Sequence, residues 1–284
     1  MTEVAPDHLL PLTCTRSGTC CHGKDIRITP WELALLARAR GLDAREFRER
    51  FTVDGGAGLA CNGAARWRGL PACGQYDSIR GCTVHAARPL ACRLYPLGRQ
   101  RQGDTVTFMH EGTRFPCLDG CPEVTALPRL TVRDYLAGQH IEPFAVVRDM
   151  YLELAQDLAE GAFVLVFDSG LVKVEGIDWR SAWRHVVRGG VPQWQAAMPS
   201  ELRDGVTVPT VAAALDDGPT WVAAHANVLQ NAVNQTWLTQ ADPLRHCTGS
   251  AAMLAGAMMI LHGIGADTLE AGKRWLIEAE RHAQ

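Results

Sequence analysis

The chain contains no long hydrophobic run. Its most apolar stretch, AAMLAGAMMIL at residues 251–261, falls far short of the roughly 20 residues a helix needs to cross a bilayer. It reads instead as a buried helix of small residues, and a membrane-spanning role is excluded. An excess of one charge is lacking too, since 28 Lys and Arg stand against 31 Asp and Glu, a formal charge of -3. That balance supplies no field to draw in a polyanion, so nucleic acid is not an expected partner. The opening MTEVAPDHLLPL has neither the cationic start nor the apolar core of a secretory signal, so the expected compartment is a reducing cytoplasm in which disulfides are disfavoured. The glycine-rich residues 53–70 hold no GxxxxGK[ST] and no GxGxxG between strand and helix, which excludes a recognisable phosphate cradle and leaves a long loop.

Cysteine is nearly absent from the second half and concentrated in the first. Nine of the ten cysteines (14, 20, 21, 61, 73, 82, 92, 117 and 121) precede residue 122, and only Cys247 follows. With 284 residues and 47% hydrophobic content the chain can bury a core without any staple. The thiols therefore call for a local explanation. The division they mark predicts two domains: an irregular cysteine-rich metal-binding domain with short strands over 1–128, and a helical domain of unknown role over 129–284. The fold class expected for the whole is mostly α.

Local signals fill in this outline. Thr29, Pro30 and Glu32 form a capping box ahead of a helix that Gly41 stops, and Asp43 with Glu46 starts a second short helix. Residues 73–121 are irregular apart from an alternating stretch at 104–110, which reads as a strand. Thr131 caps another helix. From Pro143 a longer one places Val147, Tyr151, Leu154 and Leu158 on a single stripe. Residues 162–176 fit either a strand pair turning at Asp168–Gly170 or a continuation of that helix. Further helices are expected at 179–187, 219–238, 250–262 and 268–281, with turns near Gly189, Gly205 and Gly263.

An irregular segment of some 50 residues needs a crosslink, because a structureless loop of that length is otherwise suspect in a compact domain. Thiolate metal centres supply one, drawing some ligands from a short turn and others from a distant segment. Cys14, Cys20 and Cys21 make the turn; Cys73, Cys82 and Cys92 follow at intervals of nine and ten residues; Cys117 and Cys121 form a tight pair before Pro122. These eight are the candidate ligands, enough for two four-ligand centres or for one with spare buried thiols. Consecutive side chains diverge, so Cys20 and Cys21 reach one metal only across a sharp turn. Cys61 has no neighbour at ligand spacing and is left out, and Cys247 reads as a core thiol. His22 and His85 read as supporting or surface groups. Arg88 and Arg93, flanking Cys92, are the candidate cofactor-binding cations, able to donate to thiolate sulfur; Arg99 and Arg101 are equally well a solvated face.

The blocks CTRSGTCCHGKDIRITPWEL and PACGQYDSIRGCTVHAARPLACRLYPL resemble the YkgJ-type cysteine-cluster proteins, a zinc- or iron-chelating CxxCxxCC family. Cys14, Cys20 and Cys21 match the turn, and Arg88, Pro89, Cys92, Arg93, Tyr95 and Pro96 match the RPxxCRxYP ending, over roughly residues 10–122. Ser17 stands where the pattern has its second cysteine, and His85 where it has a tyrosine. Cys117 or Cys121 could replace the missing thiol. The resemblance implies metal binding. A similar turn in flagellin lysine methylases would imply an iron–sulfur-dependent modification enzyme, though it extends only over the thiol segment. The expectation is thus an iron–sulfur cluster in preference to zinc, in a redox or metal-handling protein with an unknown protein partner. The alternatives are a structural zinc module for protein interaction and a modification enzyme.

Overall fold

The computed structural model describes residues 2–12, 18–103, 105–110, 129–238 and 242–284. The chain divides into two compact units, one formed by Met1–Ile26 with Leu59–Ala145 and the other by Arg27–Gly58 with Val146–Gln284. The expected division after residue 128 therefore differs in two places. The first unit runs on to Ala145, because Ile141, Phe144 and Ala145 pack with Leu90 and Leu94. Residues 27–58 fold with the helical unit, because the first helix buries Trp31, Leu33 and Leu36 and Trp31 Nε1 donates to the Leu215 carbonyl at 2.9 Å.

The first unit is built from short antiparallel pairings. Thr105–His110 lies between Thr2–Val4 and Leu97–Gln102 in a three-stranded sheet, and Leu9–Pro11 pairs with Arg129–Thr131. Val4, Leu12 and Leu97 bury against Val132 and Tyr135 of the helix Val132–Gly138, which Thr131 caps by accepting from Asp134 N at 3.1 Å. Part of the expected loop at 53–70 is a hairpin: Gly63–Trp67 pairs with Leu70–Ala72. Arg68 and Gly69 between them have φ of 49° and 79°. Two successive positive φ values are the signature of the two-residue turn that matches strand twist, and arginine is a rare occupant of it.

In the second unit the capping signals act as read. Thr29 Oγ1 accepts from Glu32 N at 3.2 Å while Glu32 Oε2 accepts from Thr29 N at 2.8 Å, starting the helix Pro30–Arg40, and Gly41 ends it at φ 65°. Asp43 starts Ala44–Phe51. The stripe Val147, Tyr151, Leu154 and Leu158 is buried, and of the two readings for 162–176 the helical one holds, in a single helix Glu142–Phe167. Helices follow at Trp179–Arg188, Val191–Ala197, Ser200–Thr207, Gly218–Val233, Pro243–Gly263 and Thr268–His282. Pro243–Gly263 starts seven residues before the expected position, with Asp242 as cap and Pro243 in the first turn. Its residues 252–261 are all buried, which accounts for the apolar stretch. No helix among the described residues is long and apolar enough to cross a membrane.

Gly205 is not at a turn but inside Ser200–Thr207. Its carbonyl accepts from His225 Nε2 at 2.7 Å, and Leu229 Cδ2 would stand 3.3 Å from an added Cβ. A carbonyl can only accept, so Nε2 carries the proton and Nδ1 accepts from the Tyr151 hydroxyl at 3.0 Å. His225 is fully buried, and desolvation holds its pKa down at about 4. Burial likewise raises that of Tyr151. Trp179 and Trp183 complete the centre of this unit, with Trp183 Nε1 donating to Ser250 Oγ at 3.0 Å.

Candidate metal centre

Four stretches of the first unit bring their thiols together through backbone hydrogen bonds. Cys73 N donates to Cys21 O at 2.6 Å and Gly23 N to Pro71 O at 3.0 Å, joining the opening turn to the strand Leu70–Ala72. Gly74 N donates to Ala60 O, and Leu59 N to Ile26 O, each at 2.9 Å, which ties in the stretch bearing Cys61. Thr83 N donates to Gln75 O at 2.9 Å, and Tyr76 pairs with Cys82 across a two-residue ladder. Cys92 arrives on the short helix Leu90–Leu94. Cys20, Cys21, Cys61, Cys73, Cys82 and Cys92 all line one cavity of about 80 Å³. All six are half-buried, and none of them is in a disulfide.

The sharp turn that the adjacent pair requires is a single 3-10 turn, Thr19–Cys21, closed by Cys21 N donating to Gly18 O at 2.8 Å. Gly18 has φ 81°, and a Cβ there would stand 2.1 Å from the Tyr76 ring, so only glycine fits. His22 Nδ1 donates to the same carbonyl at 2.8 Å and packs edge-on against Tyr76. It is a buried brace of the turn and not part of the cavity wall.

Electrostatics sets the thiols apart. The hydrogen bond from Cys21 lowers the Cys20 pKa to about 7, against the effect of burial and with help from Lys24 and Arg88. Cys21 holds its proton, because that bond, burial and the neighbouring sulfurs of Cys20, Cys92 and Cys82 all push its pKa up. Burial raises Cys73 to about 11, with Cys61 and Cys82 adding to the effect. Thiols that sense one another in this way are close, and a cation among them would relieve the repulsion between their charged forms.

The rim carries two cations, Lys24 and Arg88, beside His85, with the Lys24 ammonium 4.4 Å from the centre of the Tyr95 ring. Arg88 donates to His85 Nε2 and to Gln139 Oε1, while its buried Nε has no hydrogen-bond partner among the described residues. Gln75, 2% exposed and on the cavity wall, has neither Nε2 nor Oε1 partnered. Unpaired buried donors beside a ring of thiols fit a group that presents thiolate or sulfide acceptors.

Two of the expectations change. Arg93, read as a cation facing the cofactor, is not on the cavity wall. Its Nε donates to Arg88 O at 2.9 Å, one terminal nitrogen to Gln139 O at 2.9 Å and the other to Ala86 O at 2.7 Å, and the guanidinium stacks 4.0 Å from the Phe144 ring. It fastens the segment before Cys92 to the end of the helix Val132–Gly138, and Tyr135, whose hydroxyl donates to Tyr95 O at 2.5 Å, fastens the segment after it. Cys61, set aside for want of spacing, is on the cavity wall. The signal for it lies in strand pairing across the hairpin and not in the motif. Cys14, Cys117 and Cys121 lie outside the described residues. Cys247 is buried in the second unit.

The sulfurs surround a space and do not meet at a point: among the described residues no three His, Cys, Asp or Glu side chains are arranged to hold a metal ion as they stand. Residues 13–110 match the model of a family described as "CxxCxxCC: Putative zinc- or iron-chelating domain", in agreement with the resemblance carried by the cysteine turn and the RPxxCRxYP ending. No curated protein and no solved structure matches the chain.

Proposed function

We propose, from the premise that residues 13–110 carry a metal-chelating CxxCxxCC domain, that the six-thiol cavity holds an iron–sulfur cluster and that the protein serves in redox chemistry or metal handling. The observation that carries this reading is the size of the space the thiols enclose. One water needs roughly 10–15 Å³ on such a measure, so about 80 Å³ admits a guest of several atoms. A single tetrahedral zinc draws its sulfurs to about 2.3 Å and would need only part of that space.

The residues present have definite parts. Cys20, Cys21, Cys82 and Cys92 would ligate, and Cys73 would join them or serve a second centre. Gln75 Nε2 and Arg88 Nε would donate to sulfur, which stabilises the negative charge of a thiolate centre and raises its reduction potential. A bound cluster would supply one-electron transfer. The helical unit would meet the protein partner, in a cytoplasmic setting without nucleic acid. A structural zinc module is the second reading, favoured by His85, since an imidazole on the cavity wall suits zinc.

Iron, zinc and acid-labile sulfide analysis of anaerobically purified protein tests the proposal, beside Cys20→Ser and Cys92→Ser variants. Iron with comparable sulfide and a brown colour, both lost in the variants, is the expected result. A colourless wild-type protein carrying stoichiometric zinc would replace the first reading with the second.

A further inference from the structure

We propose that Cys61 is a ligand of the metal centre, supplying a thiol in a chain that has Ser17 where the CxxCxxCC pattern has its second cysteine. The proposal rests on reading the cavity as a metal centre. Nothing in the spacing of the sequence marks Cys61, and three features of the structure do.

The first is position. Cys61 lines the same cavity as the five other described thiols of this unit. The second is anchoring. Just before it, Leu59 N donates to Ile26 O and Ala60 O accepts from Gly74 N, each at 2.9 Å. Just after it, Gly63 opens the hairpin opposite Ala72. A thiol held from both sides by strand contacts loses little freedom on binding metal, which favours ligation over an equivalent cysteine on a free loop.

The third is how little the thiol gives up. Its only described hydrogen bond is donated by Sγ to the Lys24 carbonyl at 3.4 Å, and S–H is a weak donor. On loading, the S–H bond breaks, the proton leaves to solvent, and the thiolate gives an electron pair to the metal with no change of oxidation state.

Alkylation of the full-length protein with iodoacetamide, with metal bound and after chelation, tests this when each cysteine is followed by mass spectrometry. Only a free thiolate reacts, so Cys61 is expected to label roughly tenfold or more slowly in the loaded protein. Protection of Cys20, Cys21, Cys82 and Cys92 with Cys61 equally reactive in both states would overturn this inference and leave the metal centre standing. Reactivity unchanged at every thiol would overturn the metal centre itself. Cobalt(II) loading separates ligation from mere shielding. The Cys61→Ser variant is expected to lose one thiolate's share of the sulfur-to-cobalt charge-transfer absorption, and an undiminished band would overturn the inference.

Discussion

Replacing Gln75 by leucine is expected to act oppositely on the metal-free and metal-loaded protein. Gln75 is 2% exposed, and both polar atoms of its side chain lack a partner among the described residues. A buried polar atom left unsatisfied costs about 1–3 kcal/mol, so an apolar residue of similar size removes a penalty from the metal-free protein. Its stability should stay level or rise by up to about 2 kcal/mol. In the loaded protein the amide would donate to charged sulfur, a bond that would contribute about 1.5–3 kcal/mol. Losing it should weaken metal retention by about ten- to a hundredfold. Competition against a chromophoric chelator measures the second effect, and thermal unfolding of stripped protein followed by circular dichroism measures the first. Equal destabilisation of both forms would rule this role out, because Gln75 would then be ordinary packing. Unchanged metal affinity would refute it as well, because the amide would not face the bound group.

Arg93→Lys should fail to restore what Arg93→Met loses, on the order of 3 kcal/mol of first-unit stability, since three carbonyls need the guanidinium's fork and not its charge; denaturant titration followed by metal release checks this. Arg88→Lys, in contrast, should keep most of the bound metal, because Arg88 lies on the cavity wall as a cation. The second unit should weaken in acid through His225, whose folded pKa of about 4 lies below its ordinary 6.5. The unfolded chain takes up that proton first, so the stability is fully present above pH 6.5 and falls towards pH 4, by about 2 kcal/mol at pH 5. Urea unfolding read by tryptophan fluorescence reports this unit, which holds every tryptophan but Trp67, and His225→Gln should flatten the dependence. Gly249→Ala should lower the melting point of the same unit by about 1–3 kcal/mol's worth, since its Cβ would stand 2.6 Å from the Trp237 ring.

Local chemistry was the legible part of the sequence. The Thr29–Glu32 box, the Gly41 stop and the Val147–Leu158 stripe depend on residues a few positions apart, and each forms as the residues dictate. The gathering of Cys20, Cys21, Cys73, Cys82 and Cys92 at one cavity was legible too, because the motif spacing carries it. What escaped depends on partners distant in the chain. Arg93 resembles a cofactor cation in sequence, and only the carbonyls of Ala86 and Gln139 reveal it as a fastening. Cys61 reaches the cavity through pairing of residues 59–60 with Ile26 and Gly74, contacts that no spacing rule records. Gly205 reads as a turn until the bulk of Leu229 and the ring of His225 are placed against it. The membership of residues 27–58 was missed for a similar reason, since their apolar face is matched by helices more than a hundred residues later.

That crossing of the chain governs the order in which a nascent protein can close. Residues 27–58 leave the ribosome between the opening turn and the rest of the thiol-bearing unit, yet their packing partners begin only at Val146. Throughout that interval the helices Pro30–Arg40 and Ala44–Phe51 have no core to join, and the early thiols wait beside an unburied apolar surface. A gene cut after residue 128 would leave them in that state permanently, so chaperone demand should rise with any pause in translation between the two halves.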